Sequence, residues 1–567
     1  MSQNHESQTL ETQFRAMPRI AFWFLLIGAL TSAACTAQRQ HPGGATSSGG
    51  VLHPLQDAYD VIHYGIDLSV MPDRRAIAGA VEVTVDVLAD VERFLLDLDD
   101  RLSVRRIFEE GNGEVEFTHD DGRLFITPSS PLVAGSRRAF TVAYSGEPRV
   151  APNPPWIGGF TWEETEDGHP WVATSVQMDG ADLWLPVKDH PSDKPDSVTI
   201  RITVPKPLVV ASNGVLRNQH ATADSTTFEW FTAQPISNYN IALNIAPYET
   251  IDTTYVTVDG VELPATFWVL PERLDDGRRM MPHFLDQLRW FEETIGPYPF
   301  RAEKYGVAHT PHLGMEHQTI IAYGSTFSMN RWGFDWLHQH ELAHEWWSNL
   351  VTAADWKDFW IHEGFGTYMQ ALYTEHLRGE DAYREEMQTY RRTISNLKPI
   401  APREPQTTAE MYFAEDDTRS DSDIYYKGSW VLHSLRFLMG DGDFFEMLRR
   451  FAYPTDAHRA ATDGSQVRLV DTDDLVDIVN EVAGDDLTWF FEVYVRRAAL
   501  PKLSVRRQAD QLQITWEVAG GLAFPMPVEI AVNGARQRHL LPGGHATIDL
   551  PSDARVEVDP DAWLLRD

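Results

Sequence analysis

His340-Glu341-Leu342-Ala343-His344, followed nineteen residues on by Glu363 in Trp360-Ile361-His362-Glu363-Gly364-Phe365, is the stretch around which the chain is organised. On a helix, two histidines four apart stand one above the other on one face, so both imidazoles reach a single cation. Zinc accepts nitrogen and carboxylate ligands in a tetrahedral shell, and a catalytic site keeps one position open for water. His340, His344 and Glu363 supply the three protein ligands such a site needs. Glu341, next to the first ligand, is placed to take a proton from water. The rival is an amphipathic helix whose histidines are merely solvated or capped.

Working outward, the composition is that of a folded multidomain protein. The chain has 567 residues, 43% of them hydrophobic and 11% aromatic, with 18 Trp. That is too long for one core, so two to four domains are expected. A net charge of −35 excludes a nucleic-acid partner, because a phosphate backbone would be repelled, and disfavours an anionic membrane surface. The acidic residues are spread along the chain. A highly solvated surface, a high-salt habitat and a preference for basic substrates all fit that distribution.

A single cysteine, Cys35, allows no intrachain disulfide. Arg19 precedes the apolar run Ile20 to Leu30, and Thr31-Ser32-Ala33-Ala34 leads to Cys35. A basic start, a short hydrophobic stretch and small residues form the layout of a secretory signal peptide over residues 1–35. The run is short for a membrane span of about 20 residues. Small residues before a lone Cys resemble a bacterial lipoprotein signal, in which Cys35 carries the lipid, although Ser32 stands where Leu is usual. Met17 is an alternative start to Met1. The expectation is an exported protein, periplasmic or anchored in the outer membrane through Cys35, with plain secretion as the alternative.

Residues 36–56 read as a flexible Gly/Ser tether. Strand signals follow: Ile62, Tyr64, Ile66, Leu68 and Val70 alternate with polar partners, and Val81, Val83, Val85 and Val87 alternate on the return. Val198, Ile200, Ile202 and Val204 repeat the pattern ahead of an Asn213-Gly214 turn. Residues 57–248 are expected to form an all-β domain. Residues 249–499 carry a hairpin around Asp259-Gly260 and then turn helical. Helices are expected around Met280 to Phe291 and over 334–350, 362–378, 380–395, 427–438, 442–452, 473–483 and 486–497. Alternation returns after Pro501, with a turn at Asn533-Gly534, so 500–567 reads as a small β-sandwich.

Two further stretches bear on chemistry. Leu313-Gly314-Met315-Glu316-His317 precedes a β-like run, Gln318 to Tyr323. An extended edge there would pair with a peptide backbone while Glu316 offers a carboxylate to a cation. A solvated Glu on an edge strand fits equally well. Ile424-Tyr425-Tyr426-Lys427-Gly428 opens a helix, and a tyrosine near the metal would donate to an oxyanion. A core aromatic with a satisfied hydroxyl is the competing reading for either Tyr.

Together these stretches resemble the aminopeptidase N / leukotriene hydrolase family of gluzincin metallopeptidases. The order and separation of His-Glu-Leu-Ala-His-Glu-Trp-Trp, Trp360 to Phe365, Gly-Met-Glu-His and Tyr-Tyr-Lys-Gly match. Asp60-Val61-Ile62-His63-Tyr64 resembles the family's opening strand, and Trp184 to Lys194 resembles its Trp-x-Pro…Asp-x-Pro-Ser-x-Lys stretch. The likeness runs from about 57 to 500. It implies a multidomain α+β fold: an N-terminal all-β saddle-like domain, a thermolysin-like, mostly helical catalytic domain and a small C-terminal β-sandwich.

The resemblance also implies roles. His340, His344 and Glu363 hold one zinc ion per chain, Glu341 is the general base, and Tyr425 stabilises the oxyanion. Glu316 binds a free α-amino group, with Gln177 near it and Gly314, Met315 and His317 in the substrate-binding stretch. The implied activity is removal of the amino-terminal residue of peptides. Departures are Leu313 and His317 at the ends of the usual Gly-x-Met-Glu-Asn element and His362 where Asn is usual, which bear on pocket shape. The large helical carboxy-terminal domain of many members has no counterpart in the sequence, so a more open site is expected. The rivals are an endopeptidase or epoxide hydrolase on the same site, and a non-catalytic extracellular binding module. The sequence sets no oligomeric state.

Overall fold

Residues 47–413 and 422–567 are described by the computed structural model. The leader, Met1, Met17, Cys35 and residues 36–46 of the expected 36–56 tether lie outside the described residues; the rest of that stretch is no free tether, because residues 47–50 are hydrogen-bonded to both domains and Pro54–Asp57 forms a helical turn. Strand β1 (Tyr59–Met71) pairs antiparallel with β2 (Ala76–Val87), setting Tyr64 opposite Val83 and Ile66 opposite Val81. One face of the pair is apolar because side chains alternate across a pleated strand. Tyr64, Ile66, Leu68 and Val70 are buried with Val81, Val83, Val85 and Val87. Ile62 departs from the expected alternation. A register shift between Val61 and His63 puts Tyr59 and Val61 inward and leaves Ile62 half-buried. The two strands sit inside a ten-stranded sheet in which Ser197–Pro205 runs parallel to β1.

A second, four-stranded sheet contains β3 (Pro170–Ser175), whose end delivers Gln177. The helical domain begins on a five-stranded sheet made of β4 (Glu249–Val256), β5 (Glu262–Val269), β6 (Tyr305–His309), β7 (Gly314–Met315) and β8 (Ile321–Tyr323). Its order, β4-β5-β6-β8-β7, leaves β7 at the edge. The extended run expected over 318–323 is shorter than its apolar pattern suggested. Thr319 takes φ 63° in a turn, its N–H donating to Glu345 Oε1 at 2.9 Å, and only Ile321–Tyr323 is strand. This turn folds β7 back against β8.

Helix α1 (Leu274–Thr294) covers the five-stranded sheet, burying Met280, Met281, Phe284, Leu288 and Phe291. Helix α2 (Trp336–Ala343) is capped by Asp335, whose carboxylate accepts from His338 N at 3.1 Å and from Tyr323 Oη at 2.5 Å. A helix continuous to 350 was expected. The chain instead leaves the helix in a wide turn with non-helical Trp347 (φ −103°, ψ 67°) and Ser348 (φ 158°, ψ −59°). Tertiary hydrogen bonds from Ser348 and Asn349 hold that turn and outweigh helical propensity. Strand β9 (Val351–Ala353) returns the chain to α3 (Trp360–Arg378). Helix α4 (Asp423–Met439) starts four residues earlier than the expected 427, so Tyr425 lies in its first turn.

Residues 502–558 form two three-stranded sheets facing each other, the small sandwich expected from the alternation. A strap at residues 47–50 joins the domains. Thr408 N donates to Ser48 O at 3.0 Å, Gly50 N to Gln406 O at 3.1 Å, and Gly49 N to Asp189 O at 3.3 Å. Gly49 is required there, since a Cβ would lie 2.1 Å from Trp356 Cδ1.

Near the strap three aspartates, Asp97, Asp182 and Asp189, share a buried region of the N-terminal domain. Asp182 is 5% exposed, and its Oδ1 has no hydrogen-bond partner among the described residues. Burial first, then Asp189, pushes the Asp182 carboxyl well above its ordinary range, and burial followed by Asp97 raises Asp189 to about 7. Because the folded state holds protons that the unfolded chain releases near 3.9, stability falls as pH rises from about 4 to about 7. Asp182→Asn removes one of these charges. Urea unfolding of that variant is expected to show a gain of about 1–2 kcal/mol at pH 8 and little change at pH 4.

Candidate zinc centre

The ligand cluster is built by two helices and a close approach. His340 and His344 project from α2 and its C-terminal cap, and Glu363 from the first turn of α3. A carboxylate in a first turn also lies in the favourable field of the helix N-terminus. Gly366, one turn further, lets α3 pass beside the imidazoles; a Cβ there would lie 3.1 Å from His344 Cε1. Helix α4 reaches the site through a glycine pair. A Cβ on Gly364 of α3 would lie 2.9 Å from Gly428 Cα of α4, so the two backbones touch. That contact carries Tyr425 over His340, with the ring centroids 6.2 Å apart and the planes 22° from parallel. Tyr426 instead packs against Tyr390.

Three ligand atoms converge. His340 Nε2 is 3.3 Å from His344 Nε2 and 3.3 Å from Glu363 Oε2, and His344 Nε2 is 3.6 Å from the same oxygen. Tetrahedral ligands about 2.0–2.1 Å from zinc stand roughly 3.3–3.4 Å apart, so the spacing fits that ion. Its charge also fits. Glu363 Oε2 is buried without a hydrogen-bond partner among the described residues; His344 and Glu363 are nearly inaccessible and His340 is partly buried. Burial alone would lower His344, yet Glu363, Glu316 and Glu341 outweigh it and raise the group to about 10. A positive charge is therefore favoured at the point where the three atoms meet. His344 Nδ1 lies 3.0 Å from Trp347 O, an interaction that turns Nε2 toward the cluster. The residues present accommodate one zinc ion.

Glu341, on the same helix, points toward the edge strand β7. A Cβ on Gly314 would lie 2.5 Å from Glu341 Oε1, so glycine is needed for the carboxylate and the strand to approach. Burial raises the Glu341 carboxyl well above its ordinary range, with Glu316 and Glu363 adding to the rise. Such a shift moves a carboxylate toward the basicity that proton transfer requires. Met315 is buried and pairs with Ala322.

Glu316 is 3% exposed. Its Oε1 accepts from Gln177 Nε2 at 2.7 Å and from Tyr239 Oη at 3.0 Å. The structure thus brings Gln177, from the N-terminal domain, directly against the carboxylate. His317 is different. Its ring is fully buried, neither nitrogen has a hydrogen-bond partner among the described residues, and burial followed by the neighbouring His312 lowers it to about 3. No hydrogen bond joins it to Glu316, Glu341 or the ligand cluster, so it brings the site no charge. His362 also faces away: its Nε2 accepts from Ala353 N at 2.9 Å and ties α3 to β9.

Tyr239, Ser348 and Asn349 join the same site without any sequence pattern that marks them. Tyr239 Oη is also 2.8 Å from Ser348 Oγ, and Asn349 Nδ2 donates to Glu316 O at 3.0 Å. Tyr239 sits in Asn238-Tyr239-Asn240, a polar stretch without strand or helix period, and carries no motif signal.

The surrounding chain agrees with this site. Residues 60–240 match the Peptidase M1 N-terminal domain, and residues 307–494 match the Peptidase family M1 domain. Among solved structures, the M1 zinc metallopeptidase from Deinococcus radiodurans superposes with a TM-score of 0.63 at 25% identity, over 78% of this chain and 95% of that one. A mutant of that peptidase was solved with a Tyr-Ser-Ala substrate bound. The glutamyl aminopeptidase of Homo sapiens is 24% identical over 370 residues, 59% of this chain and 36% of that protein. The leucyl aminopeptidase of Saccharolobus solfataricus is 22% identical over 503 residues, 83% of this chain and 59% of that protein. A thermolysin-like helical domain with a His-His-Glu centre behind a β-rich domain defines a gluzincin-type zinc metallopeptidase. The chain belongs to peptidase family M1. It spans between about a third and three fifths of the length of these two curated relatives.

His344→Ala is expected to lower bound zinc from one per chain to below about a tenth, measured by metal analysis after dialysis. Chelation of the unmodified protein should lower its melting temperature. Stoichiometric zinc should restore it, because an ion bound only by the folded state stabilises that state.

Proposed function

We propose that the chain is an aminopeptidase that removes the first residue of peptides bearing a free amino terminus. One observation carries the proposal: a buried carboxylate, Glu316, beside a base and a metal-ligand set. Two side-chain donors, Gln177 Nε2 and Tyr239 Oη, both occupy its Oε1. A buried charge of this kind is best satisfied by a cation, and an N-terminal ammonium supplies one.

The chain's own groups divide the work. The β7 edge offers unpaired backbone groups to an extended peptide, which Glu316 arrests at its ammonium. Zinc held by His340, His344 and Glu363 would supply Lewis acidity and a water of lowered pKa. Glu341 accepts the proton released as the water attacks and passes it to the leaving amine. The Tyr425 hydroxyl, above His340, donates to the oxygen that gains charge. The glutamyl and leucyl aminopeptidase relatives support the same substrate class.

The proposal extends to location. The basic, apolar and small-residue succession from Arg19 to Cys35 supports export, with Cys35 as a lipid attachment point in the periplasm or outer membrane.

A panel of aminoacyl fluorogenic amides, run with and without a chelator, tests the activity. Chelator-sensitive release of the first residue is expected, and equal cleavage of an internally quenched, amino-blocked peptide would instead establish an endopeptidase. Glu341→Gln should lower kcat by about 10³-fold with zinc retained. Glu316→Ala should lower kcat/KM on free-amine substrates by about 10²-fold without altering zinc content.

A further inference from the structure

The short turn Asn238–Asn240 of the N-terminal domain is wedged between Glu316 and the segment that leaves the metal-bearing helix. Tyr239, 5% exposed, has its Oη 3.0 Å from Glu316 Oε1 and 2.8 Å from Ser348 Oγ. Asn240 Nδ2 donates to Asn349 Oδ1 at 2.7 Å, and Asn349 Nδ2 donates to the backbone oxygen of Glu316 at 3.0 Å. Two adjacent residues of the turn therefore grip two adjacent residues beyond the helix, and both grips end on Glu316.

The hydroxyl hydrogens can each be used once. Ser348 donates to Tyr239 Oη, and Tyr239 donates to Glu316 Oε1, which also receives Gln177 Nε2 at 2.7 Å. An ionised carboxylate accepts at both oxygens, so two donors on Oε1 fix its rotation and leave Oε2 for the incoming ammonium. Ser348 lies four residues after His344, where the backbone turns sharply (φ 158°, ψ −59°). Non-helical backbone of this kind persists only where its surroundings over-determine it, and the Tyr239 hydroxyl is one of those constraints.

We infer that Tyr239 is a positioning residue: it ties the ammonium anchor Glu316 to the end of the metal-bearing helix and so sets cleavage one residue from the amino terminus. This assignment rests on the aminopeptidase reading above. Tyr239 touches neither the ligand cluster nor Glu341 by hydrogen bond. Its effect therefore falls on how the substrate's first residue is held, not on zinc or on proton transfer.

Tyr239→Phe keeps the ring and its packing against Trp356 and removes only the hydroxyl. With aminoacyl coumarin amides the variant is expected to raise KM about tenfold, the cost of losing one donor to a charged acceptor. Its kcat should stay within about threefold and its zinc content at one per chain, a split that general destabilisation does not produce. Ser348→Ala, which removes the other end of the relay, should move KM the same way by a smaller factor, and it carries the test if Tyr239→Phe does not fold. An unchanged KM in the folded variants, or a fall in kcat with KM unchanged, overturns the assignment. Failure of the unmodified protein to release amino-terminal residues overturns the aminopeptidase reading, and this assignment with it.

Discussion

Two imidazole nitrogens and a carboxylate oxygen, largely shielded from water and 3.3–3.6 Å apart, are poorly satisfied by one another. The nitrogens meet lone pair to lone pair unless a proton or a metal lies between them, and the carboxylate has lost its water. A cation resolves both problems, and much of the surrounding architecture keeps the three atoms converged. Asp335 starts α2 at the correct residue. Trp347 O orients His344, and glycines at 364, 366 and 428 allow three helical segments to approach more closely than side chains would permit. Small residues at helix contacts lose packing area, and here the return is placement of the ligands and of Tyr425.

The N-terminal β domain is part of the site as well as its neighbour. Gln177 follows a strand of the four-stranded sheet and Tyr239 comes from a turn of the same domain, yet both donate to one oxygen of Glu316 in the helical domain. The metal cluster is assembled entirely within the helical domain. The chemistry of bond breaking and the recognition of the chain end are thus divided between domains, and the division meets at a single carboxylate. Separate expression of the helical domain would leave Glu316 with neither side-chain donor.

The sequence made the metal centre legible because its geometry is local: His340, Glu341 and His344 on one helix and its cap, and Glu363 on the next. The edge strand at Gly314-Met315 was legible for the same reason, and Gln177 only through resemblance. What escaped was long-range. Tyr239 and Ser348 are 109 residues apart and meet only when two domains close, so neither position carries a pattern that announces the other. The break after Ala343 escaped because Trp346, Trp347 and Leu350 continue the apolar spacing of a helix, and only buried hydrogen bonds from Ser348 and Asn349 override it. His317 shows the reverse case. It stands beside Glu316 in the motif, beyond the end of the strand at Met315, yet its ring is fully buried and has no hydrogen-bond partner among the described residues.

The strap at residues 47–50 has a mechanical consequence. Its hydrogen bonds run to Asp189 and His190 on one side and to Gln406 and Thr408 on the other. The strap lies within the 36–56 stretch expected to be flexible, and because it is bonded on both sides, a load applied at residue 47 reaches both halves of the molecule together. Because the bonds are spread along four residues, the load is shared across them and does not fall on a single joint. A pull applied at the strap is therefore divided between Asp189 and His190 of the N-terminal domain and Gln406 and Thr408 of the helical domain.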